Sequence, residues 1–428
     1  MKYSGIEWIG NIPESWSIRQ VKQCFYISKE AANQVDPVVL SLARSGVKVR
    51  DISNNEGQLA ASYDNYNVVK PGDLLLNPMD LYSGANCNMS EIEGVISPAY
   101  VNLRAKERIN PKFFDYFFKT QYWTMAMFAH GKGVSFDNRW TMNSDAVLNY
   151  RLPYPKLDIQ NSVVNNLNEK LEELSTLTNN ENKQIESLED FKKALINKVV
   201  TTGLNEKVEK INSGCKWIGN IPKGWDIKRA KFICNALEKG NGITKEDVLV
   251  DGDTPCIRYG EIYSKYDNFF YKCETRTNKD RVTSPSYFEA GDILFAGTGE
   301  LVEEIGKNIL YKGSEKCLAG GDIIIMKHNQ HPGYLNYAMN CISSQLQKSY
   351  GKAKLKVVHI SSFNIGNIYI CVPSLEEQKR ISDYLDEKCA AIDRLIEIKN
   401  NKIEKLEEYK KSLIFEYVTG KKEVAYEI

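Results

Sequence analysis

Six residues, Trp8-Ile9-Gly10-Asn11-Ile12-Pro13, return letter for letter as Trp217-Ile218-Gly219-Asn220-Ile221-Pro222, and Trp16 returns as Trp225, an offset of 209. A long internal repeat constrains a chain more than any local pattern, because both copies must fold by the same rules. More markers follow in the same order. Arg44-Ser45-Gly46 answers to Arg258-Tyr259-Gly260, Gly72-Asp73-Leu74-Leu75 to Gly291-Asp292-Ile293-Leu294, and Gly131-Lys132 to Gly351-Lys352. Pro155, Gln160, Leu167, Glu169 and Lys170 match Pro373, Gln378, Leu385, Glu387 and Lys388 at an offset of 218. Two copies of roughly two hundred residues therefore fill nearly all of the 428-residue chain.

Each copy has two parts. The first is rich in short β-type runs broken by Gly, Asn, Asp and Pro, such as Asn67-Val68-Val69-Lys70-Pro71-Gly72-Asp73 and Gly321-Asp322-Ile323-Ile324-Ile325-Met326. Helical stretches interrupt it, for example residues 111–128, which open with proline where a helix tolerates one. The second part is a long helix. In copy two, Pro373-Ser374-Leu375-Glu376-Glu377 opens it as a Ser-x-x-Glu capping box; in copy one Lys156 stands at the serine position.

Both helices carry an apolar seam spaced by three and four. It runs Leu171, Leu174, Thr178, Glu181, Ile185, Leu188, Lys192, Leu195 in copy one, and Cys389, Ile392, Ile396, Lys399, Ile403, Leu406, Lys410, Leu413 in copy two. Such a stripe can pack on its own domain. With polar residues covering most of the rest, it more readily forms a mutual pair, in which Glu181 and Lys399 come close if the helices run antiparallel. At about 1.5 Å per residue each helix is a rod on the order of 50–70 Å, the length of a spacer. The expected fold is α+β: two tandem mixed α/β domains, residues 1–153 and 204–371, each followed by a long helix, residues 154–203 and 372–428. The helices pair as an antiparallel coiled coil with pseudo-two-fold symmetry, an arrangement suited to two separated sites on one duplex.

Composition narrows the class. Hydrophobic residues are 42% and charged residues 26%, the range of a globular protein, and no apolar run approaches a membrane span. The N-terminus lacks the order of a signal peptide, which points to the cytoplasm. The ten cysteines form no C-x-x-C pair and read as free thiols. His328-x-x-His331 is the only close histidine pair and, before Pro332-Gly333, reads as turn chemistry rather than a metal site. The net charge of +1 gives no global signal for nucleic acid, so any such signal is local.

Three segments identify a likeness: Trp8-Ile-Gly-Asn-Ile-Pro-Glu-Ser-Trp16 with its copy at 217–225, Pro373-Ser-Leu-Glu-Glu-Gln-Lys-Arg-Ile-Ser-Asp-Tyr-Leu-Asp-Glu-Lys388, and the helix end Val418-Thr419-Gly420-Lys421. In these the chain resembles the DNA specificity subunit of type I restriction-modification systems over its full length. In copy one the Pro-to-Gln segment, Pro155-Lys-Leu-Asp-Ile-Gln160, is degenerate. The resemblance implies two target-recognition domains, each reading one half of a split, asymmetric site in double-stranded DNA, with the helices fixing the gap. It implies two copies of an adenine-N6 modification subunit docked on the helices, and a restriction subunit that adds translocation and cleavage. S-adenosylmethionine, ATP and Mg would belong to those partners, leaving this chain without cofactor or catalysis.

The residues agree that a catalytic centre is not to be expected. Phe295-Ala-Gly297-Thr-Gly299 and Asn77-Pro78-Met79-Asp80 look like halves of an amino-methyltransferase, but the second lacks the aromatic that stacks on a flipped base. The repeat also lays Asp73-Leu-Leu-Leu-Asn77 over Asp292-Ile-Leu-Phe-Ala296, so the two are one strand end in two domains. No phosphate loop, H-E-x-x-H or G-x-S-x-G is present.

For DNA contact the best local cluster is Lys348, Lys352, Lys354 and Lys356, around Tyr350-Gly351. Its counterpart is Gly131-Lys132-Gly133 with Arg139. A second pair of candidates is Arg44, Lys48 and Arg50, and Arg258, Tyr259 and Lys265. Lysine runs also occur as plain solvated surface, and an arginine at a turn either reads guanine or salt-bridges a nearby acid. The repeated tryptophans read as core or helix-docking anchors rather than base-stackers. A coiled-coil scaffold whose globular ends bind protein is the alternative, and salt-sensitive DNA binding separates the two.

Overall fold

The computed structural model describes residues 1–32, 37–52, 60, 62–79, 81, 86–133, 140–282, 284–352 and 357–423. The chain divides into two compact units, residues 1–181 with 400–428 and residues 182–399. The division falls inside both long helices.

In the first unit an antiparallel sheet runs in the order Phe25–Ile27, Val101–Ala105, Leu74–Leu76, Cys87–Met89. The helix Pro111–Trp123 buries Phe113, Phe114, Phe117 and Phe118 in the same core, with Phe114 edge-on to Phe25 at 5.3 Å. Asn110 caps it, its side-chain oxygen accepting the Lys112 N–H at 3.0 Å. The helix is shorter than the expected 111–128. Met125 takes φ 56, which no α-helix contains, and only a single 3-10 turn follows at Phe128–His130.

The second unit carries a mixed five-stranded sheet in the order Cys234–Lys239, Ile323–His328, Ile293–Ala296, Asn308–Tyr311, Phe269–Phe270. Beside it lies a four-stranded sheet of Thr275–Thr277, Thr254–Ile257, Cys317–Ala319 and Tyr287–Phe288. Ile293, Phe295, Ile324 and Met326 enter one core and Leu294, Ala296, Ile323 and Ile325 another. Alternate side chains point to opposite faces, and both faces are covered, so these strands read as unbroken apolar runs. The repeat holds in the pairing: Leu74 opposes Leu103 as Ile293 opposes Met326. Likewise Ser17–Gln20 pairs with Arg151–Tyr154 as Asp226–Arg229 pairs with Tyr369–Val372.

The long helices span Leu157–Thr202 and Leu375–Val418. Every expected seam position is buried or half-buried, from Leu171 to Leu195 and from Cys389 to Leu413. In the first unit Leu174 and Leu413 share one core, with Leu171 and Leu406 packed against it, and Lys402 reaches Glu181 at 2.6 Å. In the second unit Leu195, Ile196, Val199 and Val200 pack with Ile381, Leu385 and Cys389, while Lys192 bonds Asp393 at 2.7 Å and Lys399 bonds Gln184. Numbers rise on one helix as they fall on the other. The helices are antiparallel within each unit.

Their ends are built alike. Gly203 at φ 72 and Gly420 at φ 70 follow the last turns, in the left-handed conformation that satisfies terminal carbonyls. A Cβ on Gly203 would stand 3.1 Å from Trp225, and one on Gly420 would stand 2.3 Å from Pro13 and 3.3 Å from Trp16. Trp16 and Trp225 are buried as helix-docking anchors. Trp225 donates its indole N–H to Glu377 at 3.0 Å. In the expected capping box, Ser374 accepts the Glu377 N–H at 3.3 Å, but the glutamate carboxylate is turned to the tryptophan.

The repeated glutamines explain themselves. Gln160 donates to the Pro155 carbonyl and accepts the Asn110 N–H, both at 2.9 Å. Gln378 donates to the Pro373 carbonyl and accepts the His331 N–H, also both at 2.9 Å. Each ties the start of a long helix to the start of a globular-domain helix, Pro111–Trp123 or Pro332–Asn340. Gln378→Leu leaves two buried polar groups without these partners. It is expected to destabilise the second unit by about 2–4 kcal/mol, measured by denaturant unfolding.

Candidate nucleic-acid interface

Of the two expected Gly-Lys sites, Lys132 lines a cleft in the first unit, and Lys352 stands beside a cleft at the equivalent place in the second. In the first unit a cleft of about 320 Å³ is lined by His130, Lys132, Thr141, Asn143, Asp145, Ala146 and Asn149. Lys132 and Thr141 exchange backbone hydrogen bonds at 2.8 and 3.0 Å, which fixes the exposed lysine at the rim. Gly131 is required there, since a Cβ would meet the Trp140 indole at 2.5 Å. Asn143 caps the short helix Ser144–Asn149 that forms the other wall.

In the second unit a cleft of about 360 Å³ is lined by Lys239, Gly297, Asp322, Ile324, His359, Ile360, Ser361, Ser362 and Asn364. Thr141, Asn143 and Ala146 of the first unit correspond to His359, Ser361 and Asn364 at the offset of 218. Ser361 caps the helix Ser362–Gly366 as Asn143 caps its counterpart. Lys352 donates to the carbonyl of His359 beside this cleft. The frame is shared while the lining differs. None of these wall residues carried a signal in the sequence, because short polar side chains at caps look like any loop.

A third cleft, about 480 Å³, gathers the other second-unit candidates: Arg258, Tyr259 and Lys265, with Thr244, Lys245, Gly320, Gly321 and Asp322. Glu261 accepts the Arg258 backbone N–H at 2.9 Å and holds the start of the helix Tyr259–Ser264. Burial pushes the Glu261 carboxyl up, but hydrogen bonds from Thr275, Lys265 and the Arg258 N–H more than offset this and leave it below its usual range. Lys265 is ion-paired to Glu261 at 2.9 Å and Glu274 at 3.1 Å, partners that raise its pKa. Of the three, Tyr259 is exposed, and Arg258 is half-buried with its Nε enclosed.

In the first unit Arg44 and Ser45 form the two-residue loop of a hairpin, Leu40–Ala43 with Gly46–Val49. Asn88 steadies it by donating to the Ala43 carbonyl at 2.9 Å. Arg44 and Lys48 are exposed and Arg50 half-buried on the same hairpin. Arg44-Ser45-Gly46 and Arg258-Tyr259-Gly260 thus follow equivalent strands but fold differently, one into a hairpin and the other into a helix start.

One candidate is removed. Lys348 is 2% exposed; its ammonium donates to the Gly306 carbonyl at 2.6 Å and to Asn308 Oδ1 at 3.0 Å. It faces the core because Ser344 and Lys348 share the buried side of the helix Ile342–Ser349, a face that charge counting along the sequence ignores. Arg139, Lys354 and Lys356 lie outside the described residues. The four repeated tryptophans divide: Trp16 and Trp225 are buried, Trp8 donates to Gln121 at 2.9 Å, and Trp217 stands edge-on to Tyr350 at 5.1 Å.

The methyltransferase look-alikes are the same strand end in separate units, Leu74–Leu76 and Ile293–Ala296. Asn77 spends its side chain on its own turn, accepting the Met79 N–H at 3.0 Å. His331 caps the helix Pro332–Asn340, and His328 Nδ1 accepts the Gln330 N–H at 3.2 Å, so this pair does the work of a turn. Among the described residues no group of three or more His, Cys, Asp or Glu could hold a metal ion. No helix among them is long and apolar enough to cross a membrane.

Residues 222–408 match the family described as type I restriction modification DNA specificity domain. Over 431 aligned residues, 96% of this chain and 93% of the relative, the chain is 22% identical to the type I restriction enzyme MjaVIII specificity subunit of Methanocaldococcus jannaschii. Its fold is similar to a chain solved in work on complex assembly and conformational transition of the type I R-M system. That match has a TM-score of 0.70 and 15% identity, over 95% of this chain and 98% of the other. It is also similar to the HsdS subunit from Thermoanaerobacter tengcongensis, with a TM-score of 0.51 and 15% identity, over 96% and 98% of the two chains.

Proposed function

Given that this chain is a DNA specificity subunit of a type I restriction-modification system, we propose that each repeat reads one half of a bipartite, asymmetric site and that the long helices set the gap between halves. The observation that carries this reading is the pair of repeat-equivalent clefts, each beside a Gly-Lys turn and walled by a capped short helix. A shared frame with different linings suits two readers of different sequence. Lys132 and Lys352 are our candidates for phosphate contact, and Arg44, Lys48, Arg50, Arg258 and Tyr259 our candidates for base edges. Residues 1–153 and 204–371 are taken as the two target-recognition domains.

The helices also support a docking role. Phe191, Leu395 and Ile398 lie exposed on them, apolar residues that a solvated rod has no use for. We assign that surface to two copies of an adenine-N6 modification subunit, with a restriction subunit joining the assembly. S-adenosylmethionine, ATP and Mg then belong to the partners, and this cytoplasmic chain contributes no chemical step.

The test is a comparison of host DNA methylation with and without the gene. One bipartite adenine-methylated motif is expected to vanish on deletion and to return with the gene. An unchanged set of methylated motifs would sink the reading. Purified protein with its modification subunit should bind the motif duplex at 50 mM salt and lose on the order of 10³-fold in affinity by 200 mM. Salt-indifferent binding would favour a protein scaffold.

A further inference from the structure

The second unit contains a junction of charged groups that ties both long helices to its globular part. Lys192 lies on the seam of the first long helix, and its ammonium bonds both carboxylate oxygens of Asp393 on the second, at 2.7 and 2.8 Å. The same ammonium stands 3.7 Å from Asp267, in the globular part of the unit. The segment after Asp267 is gripped again. Asn268 accepts two hydrogen bonds from Asn336, at 2.9 and 2.7 Å, and Lys312 lies 3.8 Å over the ring of Phe269. Lys312 in turn reaches Asp386 of the second long helix at 3.4 Å, and Tyr337 donates to that same carboxylate at 2.8 Å.

This gripped segment begins two residues after Lys265, which ends the helix Tyr259–Ser264. At the other end of that short helix stand Arg258 and Tyr259, in the largest of the three clefts. A chain of contacts therefore runs from the paired helices through Asp267 and Phe269 to a candidate reading element. In the first unit the repeat position of Lys192 is Lys410, whose ion pair is with Glu407 on its own helix at 3.4 Å. The repeat position of Asp393 is Ser175, which carries no charge.

We propose that Lys192 is a positioning residue: bridging Asp393 and Asp267, it sets the pose of the Arg258–Lys265 element against the helix pair, and so sets how strictly the second half-site must lie at its proper spacing. Lys192 touches no DNA in this role. A half-buried lysine on a mostly apolar seam costs desolvation, and Asp393 offsets that cost only in one geometry. Such a pair fixes a register better than an apolar pair of equal strength.

The inference rests on the reading of bipartite sites, and its test separates the two. The full chain, assembled with its modification subunit, is titrated on duplexes carrying the methylated motif at its native spacing and with one base pair added or removed. Wild type should prefer the native spacing. Lys192→Met, which keeps the aliphatic stem, is expected to lower that preference by about tenfold, the size of one charge-assisted hydrogen-bonded pair, with little change in binding to the second half-site alone. Lys192→Arg should restore it, and Asp393→Asn should reproduce the loss. A Lys192→Met protein that keeps the full preference, or loses thermal stability and affinity equally at every spacing, overturns the proposal. If wild type itself shows no preference among duplexes, it is the bipartite reading that fails.

Discussion

Changing Ile185 and Ile403 together to aspartate is expected to cut affinity for the two-part site by about 10²–10⁴-fold, to the level of a duplex carrying one half-site alone. Both isoleucines are half-buried seam residues, Ile185 in the second unit and Ile403 in the first. A carboxylate placed there loses hydration without a designed partner. At position 403 it would also compete with Glu181 for the neighbouring Lys402, which now bonds Glu181 at 2.6 Å. The cores of the globular parts are built from other residues, around Phe113–Phe118 in one unit and Ile293–Ala296 in the other, and should persist. Binding measured by fluorescence anisotropy on one-half and two-half duplexes distinguishes loss of linkage from loss of folding. Undiminished affinity for the two-half duplex would mean the seam does not couple the readers.

Lys348→Met is expected to remove a rise in unfolding free energy of about 1.4 kcal/mol per pH unit between about pH 7 and pH 10. Burial pushes the Lys348 ammonium down to about 7, from 10.5 for an ordinary lysine. Its hydrogen bonds go to Gly306 and Asn308, neither of them a carboxylate. Below pH 7 the ammonium is charged in folded and unfolded chains alike, and the folded state carries the full cost of burying it. Between the two pKa values the unfolded chain binds the extra proton, so stability grows as pH rises. Above both values the cost has gone. Across the window the gain sums to about 4–5 kcal/mol. Burial lifts many tyrosines and cysteines above this range in the folded chain while they still titrate within it once unfolded, so the quantity to follow is the difference between wild type and variant at each pH. A difference that stays flat from pH 7 to 10 would show that Lys348 is not buried as an isolated base.

Lys348 also marks where reading along the chain falls short. Four lysines in nine residues suggested one basic surface, yet the first points into the core. The order of residues specifies which of them are charged but not which side of an eight-residue helix meets solvent. Gln160 and Gln378 illustrate the converse. Their recurrence was plain, but their role needed the partners Asn110 and His331, about fifty residues upstream in each repeat. The Arg44 and Arg258 motifs align by letters and follow equivalent strands, but one continues as a hairpin and the other as a helix.

What one-dimensional order settled was periodic or duplicated. The two copies, the long helices, their seams and the equivalence of the methyltransferase look-alikes all follow from spacing, because a helix or strand repeats its facing every few residues regardless of what lies far away. Folding in three dimensions decided which cations stay solvated and which short polar residues wall the clefts. It also joined Lys192 to Asp393 and Asp267. Those outcomes depend on contacts between residues far apart in the chain, whose packing no local pattern encodes.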